Sequence, residues 1–358
     1  MAALLVAANT ATASELDDTA RFLAGKGAAW HSPLADHATM PAYTEYAEHI
    51  ASGWKHFQEP NLERMRSWWK RRGPEKYSTV FYPFSGPDLA NALALFPDAD
   101  TYLMFGLEAP GAIPDLQGLD EAAVAAGLHD LEASLSTLLR VNYFFTRAME
   151  KKLGTGSFNS VSGLLLFFLA ATDCEVTSAR RVAIGRSGAL VQGTSGDDDS
   201  SRARVPGVEI TFRRAGSTKD QTVRYFMVDV ADQALAKKAP GFVPYLESQR
   251  RFATMIKSAS YLMHEQGSRD RFGTIRALIL DHSDFVVQDD SGIPLRAFAR
   301  DTWKLRFHGR YQAPTAEFVK HAQKDLRTEM LRNSTGKLPF SYGYAFKQGE
   351  SNLMTAAR

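Results

Sequence analysis

Ser78 to Gly111 reads STVFYPFSGPDLANALALFPDADTYLMFGLEAPG. Thr79 to Phe84 is a short run of β-branched and aromatic residues, the composition of a buried strand. Pro83 removes a ladder donor where that strand leaves the sheet. Ser85-Gly86-Pro87-Asp88 breaks the run: Gly86 permits backbone angles closed to other residues, and Pro87 presets the first turn of a helix. Leu89 to Phe96 then has apolar residues at helical spacing, and Pro97 stops it. Thr101 to Leu107 is a second apolar strand, followed by Glu108 ahead of Pro110-Gly111. The stretch predicts a Rossmann-like β-α-β unit over residues 78–108. In such a unit the helix start offers backbone N–H groups to a ligand, and the acid after the second strand accepts hydroxyl hydrogens. The turn has one glycine where the dinucleotide fingerprint GxGxxG has three. An ordinary α/β turn with no ligand reads from the same residues, since folds do not fix functions.

Size and charge set the bounds. The chain has 358 residues, 44% of them hydrophobic, enough to bury a sizeable core. Its 42 basic and 40 acidic side chains leave a formal charge of +2, which gives no reason to expect nucleic acid or an anionic membrane as partner. The single cysteine, Cys174, rules out an internal disulfide and a cysteine metal cage. It lies in the apolar run LLLFFLAATDCEV and reads as an inert buried thiol. The chain has no G-x-S-x-G, Walker loop or HExxH, and its histidines are scattered without an i, i+4 pair. No metal ligand is assigned, and the cofactor is unknown at this level.

Residues 1–15 read as a signal peptide lacking its basic start: Ala2 to Ala8 is apolar, and Ala11-Thr12-Ala13 before Ser14 has the small-x-small form of a cleavage site. A frayed alanine-rich terminus is the alternative. The first reading makes the mature chain periplasmic or secreted. No later run reaches the ~20 apolar residues that cross a bilayer, so no integral membrane segment is expected in it.

Outward from the central stretch, residues 16–74 form a helical N-terminal segment rich in aromatics. NLERMRSWWKRR (61–72) could hold a phosphate-bearing ligand, or it is an amphipathic helix whose tryptophans pack. Residues 75–358 are expected to form an α/β domain, a mixed sheet with helices on both faces. Leu119–Leu153 is a long helical region, Gly154–Ser162 a linker and Gly163–Ala171 a core helix. Arg181–Gln192 is a strand pair, and Val208–Arg213 with Thr222–Val230 is a hairpin. The acidic run Asp197–Asp199 lacks the alternation of a calcium loop and reads as solvated. Later elements are a helix over Phe242–Glu265, a helix over Gly273–Asp281, strands over Asp284–Gln288 and Trp303–Tyr311, and an amphipathic helix over Pro314–Arg332. Leu338–Phe346 reads as a last strand or loop.

Two groups of residues outside the central stretch bear chemistry. On the expected helix 242–265, Lys257, Ser260, Tyr261 and His264 share a face, where lysine lowers a phenol pKa and histidine relays a proton. The strand DFVVQ ends in Asp289-Asp290-Ser291-Gly292-Ile293-Pro294, echoing Ser85-Gly86-Pro87. Asp289 and Asp290 there could serve as acid and base or bind a metal, or they point apart and solubilise a turn. The candidate catalytic set is therefore Asp88, Glu108, Asp289, Asp290, Lys257, Tyr261 and His264. Ser85, Gly86, Ser291 and Gly292 are the candidate cofactor-binding residues.

The blocks FYPFSGPD, GLEAPG, KSASYLMH and DDSGIP resemble exported bacterial proteins of uncharacterised function, a likeness that carries no activity. Ser78–Glu108 also resembles the start of Rossmann-type methyltransferases, with Phe84-Ser85-Gly86-Pro87-Asp88 where a more glycine-rich, acid-led loop is expected. Export would separate the chain from the compartment that supplies such cofactors. Three functions stand: an exported enzyme acting on a small envelope-derived or extracellular molecule, a non-catalytic ligand-binding or envelope-maintenance protein, and a methyltransferase-type enzyme. All three place a small-molecule ligand or substrate in a cleft at the carboxyl ends of the strands.

Overall fold

The computed structural model describes residues 12–73, 76–142, 160–193, 204–344 and 350–358. The apolar start of the expected signal peptide, the run Asp197–Asp199, most of the 154–162 linker and the helical expectation beyond Asn142 lie outside them.

The chain opens with α1 (Ala13–Leu23), capped by a reciprocal pair: Glu15 N donates to Thr12 Oγ1, and Thr12 N donates to Glu15 Oε2. α2 (Pro41–Phe57) runs through a widened π turn containing Pro60 into α3 (Arg64–Lys70). Trp68 and Trp69 of α3 are buried against Phe340, Phe96 and Phe285, so the tryptophans of NLERMRSWWKRR pack. The central unit follows as β1 (Thr79–Tyr82), α4 (Leu89–Leu95) and β2 (Thr101–Gly106), with β1 and β2 parallel. Next come α5 (Glu121–Val141) and α6 (Val161–Ala171), a helix buried all round and therefore apolar on every face. The strands β3 (Cys174–Ile184), β4 (Leu190–Gln192), β5 (Val205–Arg214) and β6 (Asp220–Met227) form an antiparallel wing. The remainder is α7 (Asp232–Lys238), α8 (Phe242–Glu247), β7 (Phe252–Ile256), α9 (Gly273–His282), β8 (Ser283–Gln288), β9 (Lys304–Gly309), α10 (Lys324–Asn333) and β10 (Asn352–Ala357).

Among the described residues ten strands join one mixed sheet in the order β4-β3-β5-β6-β2-β1-β7-β8-β10-β9. The stretch β6-β2-β1-β7-β8 is parallel, and β10 runs antiparallel between β8 and β9. Strand side chains alternate between two cores, as a period of two demands. Val80, Tyr82, Tyr102 and Met104 face the core shared with α1–α4 and α6. Phe81, Leu103 and Phe105 face the core shared with α7–α10. The expected α/β class, with helices on both faces, is present.

Three expectations need correction. The helix over 242–265 is α8 followed by the strand β7: FATMI is wholly buried and pairs with β1 and β8 on either side. A short apolar run reads equally as helix or strand, and here sheet pairing decides. Pro314–Arg332 is a 3-10 segment (Ala316–His321) and then α10, separated at Ala322-Gln323. The last strand is Asn352–Ala357, beyond the segment expected to close the fold.

Phe105 packs on Phe81, Phe226 and Phe242 with no exposure. Phe105→Ala is expected to lower the unfolding free energy by about 3–5 kcal/mol in urea titrations followed by circular dichroism.

Candidate functional site

Each parallel strand delivers an ionisable group to the same edge of the sheet. β1 leads to Asp88, β2 to Glu108, β6 to Asp229, β7 to Lys257 and β8 to Asp289. The register aligns these ends: Tyr82 lies beside Met104, and Ile256 beside Gln288. Crossovers from β1 pack on one face and those from β7 on the other, so the edge between β1 and β7 is the switch point where open sheets leave a crevice.

At that point Lys257 Nζ lies 2.6 Å from Asp88 Oδ2, with both side chains almost wholly buried. Tyr82 donates to the same carboxylate oxygen at 2.9 Å, and Asn91 Nδ2 donates to Oδ1 at 2.7 Å. Asn142 closes the box: its Oδ1 accepts from Asn91 at 2.8 Å and faces Lys257 Nζ at 3.4 Å, while its Nδ2 donates to Ser341 O. Burial pushes the Lys257 pKa down, and Asp88 opposes that by favouring the ammonium. Burial and the neighbouring Asp88 together push the Tyr82 phenol up. Asp88 stands at the start of α4 but caps no amide; its carboxylate is committed to Lys257, Tyr82 and Asn91.

Asp88 and Lys257 line a cleft of about 300 Å³ together with Phe84, Gly86, Glu108 and Phe272. Glu108 is nearly buried; Tyr225 donates to its backbone carbonyl at 2.9 Å and stands 3.5 Å from Oε2. The turns after β1 and β2 touch: a Cβ on Gly106 would lie 3.1 Å from Gly86 Cα, 2.8 Å from Glu108 Oε2 and 2.5 Å from the Tyr225 hydroxyl. Asp229 lines the mouth, exposed, with one oxygen accepting from Ala231 N.

The expected anion cradle is spent internally. Ser85 N and Gly86 N both donate to Phe105 O at 3.1 Å, and the Ser85 hydroxyl exchanges hydrogen bonds with the Phe105 backbone. Ser85 and Gly86 therefore shape the cleft but offer it no amide donor. Ser291 and Gly292 lie away from it: Ser291 Oγ donates to Asp289 and accepts from Ala259 N, and Gly292 packs on Gln288.

Lys257 to His264 do not share a helical face. Ser258, Ser260 and Tyr261 hold φ of 54°, 52° and 56°, a left-handed turn costly for residues with a Cβ. Asp289 is what holds it: its carboxyl accepts from Ser258 N, Tyr344 N and Ser291 Oγ, behind the cleft wall. Any side chain at Gly343 would collide with that carboxyl. Burial, and then the adjacent Asp290, push the Asp289 pKa up to about 7. Asp290 points the other way and accepts from Tyr261 Oη and from Asn352 Nδ2. The two acids do point apart, but both are buried, so they do not solubilise a turn. His264 stands edge-on to Tyr261, and burial lowers its pKa to about 4; the Lys257–Tyr261–His264 relay is not assembled. Among the described residues no three His, Cys, Asp or Glu side chains are grouped to hold a metal.

Sequence reasoning missed Asn91, Asn142, Tyr225 and Asp229. Asp229 had a signal, since it follows β6 at the offset by which Glu108 follows β2. The chain matches no protein-family model, no curated protein and no solved structure.

Asp88→Ala removes the ion-pair partner of the buried Lys257 and is expected to lower stability by about 3–5 kcal/mol in urea titration, with Lys257→Met in the same chain restoring much of it. Asp289 has a raised folded pKa, so its contribution to stability is greatest below the ordinary carboxylate range and is lost as pH rises to about 7. Asp289→Asn is expected to flatten the fall in stability between pH ~4 and ~7 in the same titrations.

Proposed function

We propose that the cleft binds a nucleoside-bearing cofactor and that the chain is a Rossmann-type methyltransferase-like enzyme. The observation that carries this is the strand order. Taken in chain order, β1, β2, β6, β7, β8, β9 and β10 lie as 3-2-1-4-5-7-6 with the seventh reversed. The first five follow the doubly wound pattern that binds nucleotide-type ligands at its switch point, and its β1-α4-β2 unit is the stretch that resembles Rossmann-type methyltransferases.

The donor set supports a nucleoside rather than a dinucleotide. The amides that would cradle phosphate are turned to Phe105, and the cleft carries two further carboxylates, Glu108 and Asp229, against an internally neutral Lys257–Asp88 pair. That field repels phosphate and suits a neutral or cationic ligand. Glu108 accepts ribose hydroxyls, Asp229 accepts exocyclic amine hydrogens at the mouth, and the rings of Phe84 and Phe272, 6.4 Å apart, offer apolar surface to a base. Adenosylmethionine would supply an electrophilic methyl group when bound. Lys257 places an acidified ammonium on the cleft floor, with Asp88 behind it to keep or receive a proton. The buried charged pair favours an enzyme over a non-catalytic binder, whose surface needs no such group. Export, read from the first residues, competes with this reading because it parts the chain from the compartment that supplies such cofactors; N-terminal sequencing of secreted chain tests it.

Isothermal titration calorimetry tests the cleft. Adenosylmethionine and adenosylhomocysteine are expected to bind with Kd below ~100 µM, and ATP about tenfold or more weaker. Glu108→Ala is expected to lose about tenfold for both nucleosides. Tighter binding of ATP, or no nucleoside binding at millimolar concentration, overturns the reading.

A further inference from the structure

A second cavity of about 500 Å³ opens on the other side of the Ser258–Tyr261 turn, and none of its lining residues belongs to the cleft. Asp290 lines it with only 5% exposure. Its two oxygens are held by neutral donors, Tyr261 Oη and Asn352 Nδ2, the latter at 2.8 Å. Among the described residues no lysine, arginine or histidine lies within ion-pair distance of it. Asp289, the next residue, is also a buried carboxyl, and burial raises the pKa of both, so neither holds its charge at ordinary cost.

We propose that this cavity is a second ligand site, built for an organic ammonium ion with an apolar body. A buried carboxylate with only neutral partners is stabilised by a cation that reaches it, and each Asp290 oxygen has room in its lone-pair count for a further donor. The walls suit the same guest. Tyr261, Tyr311 and Tyr344 line the cavity, and the rings of Tyr261 and Tyr344 lie nearly parallel at 6.3 Å between centroids. Tyr311 and Tyr344 offer aromatic area to an apolar body, while the Tyr261 ring, stacked on His321, fixes the hydroxyl that holds Asp290. Among the described residues at the mouth, the exposed Glu350 adds a second acid, against one exposed cation, Arg310. Among the described residues a carboxylate guest would meet two acids and no buried cation. The proposal stands without the nucleoside reading, because no residue is shared between the two sites.

Three probes of similar shape separate the outcomes: phenethylamine, 2-phenylethanol and 3-phenylpropionate, each titrated into the full chain and followed by ligand-observed NMR. The amine is expected to bind about tenfold or more tighter than the alcohol and the acid. D290N is expected to cost the amine about tenfold while leaving the alcohol and adenosylhomocysteine unchanged. E350Q is expected to change amine binding by less than about threefold, as an exposed charge does. Equal binding of amine and alcohol to the unmodified chain overturns the proposal, and that comparison stands even if D290N fails to fold. Undiminished amine binding by folded D290N overturns it too, as does loss of the amine's advantage in E350Q alone.

Discussion

The ion pair between Lys257 and Asp88 is the constraint on which the arrangement depends. Its partners are 169 residues apart in the chain and meet only because β7 pairs with β1. Taking two charges out of water is costly unless geometry and hydrogen bonds offset it. The offset here comes from two amides and a phenol: Tyr82, Asn91 and Asn142, the last tied to the backbone of Ser341. The pair thereby fastens the ends of two adjacent strands, the first helix after β1, the end of α5 and the segment before β10. It sits where the crossovers divide, so this buried pair also lines the crevice.

A second constraint shapes what lies beside it. The left-handed turn from Ser258 to Tyr261 is the partition between the two cavities, and its strain is borne by Asp289 and Tyr344. Asp289 thus acts through the wall it holds, whereas its neighbour Asp290 faces open space. Adjacent residues at a strand end project to opposite sides, and here each side has its own chamber.

Residues 78–108 were legible because everything they need is local: a four-residue strand, a glycine-proline turn, a short apolar helix and a second strand. The apolar helix Val161–Ala171 was legible for the same reason, as was the hairpin of β5 and β6. The strand β7 was not, because FATMI is too short for its period to distinguish strand from helix. The strand β10 was missed because NLMTAA has little β-branched or aromatic character and owes its form to ladders on both sides. The candidate acids were found by position after strands, but which of them share a cavity depends on side-chain direction, which the chain order does not reveal. Asn91 and Asn142 carried no signal: a neutral amide matters only once a buried charge stands next to it.

The place of β10 has a consequence for biosynthesis. β9 reaches the sheet only through β10, which follows both of its neighbours in the chain and must slot between two strands made before it. Until then the backbone groups on the open flank of β8 have no ladder partner, and such a flank invites pairing with other chains. Completion of this side of the molecule therefore waits for β10, and the nascent protein spends the interval with an unfinished seam.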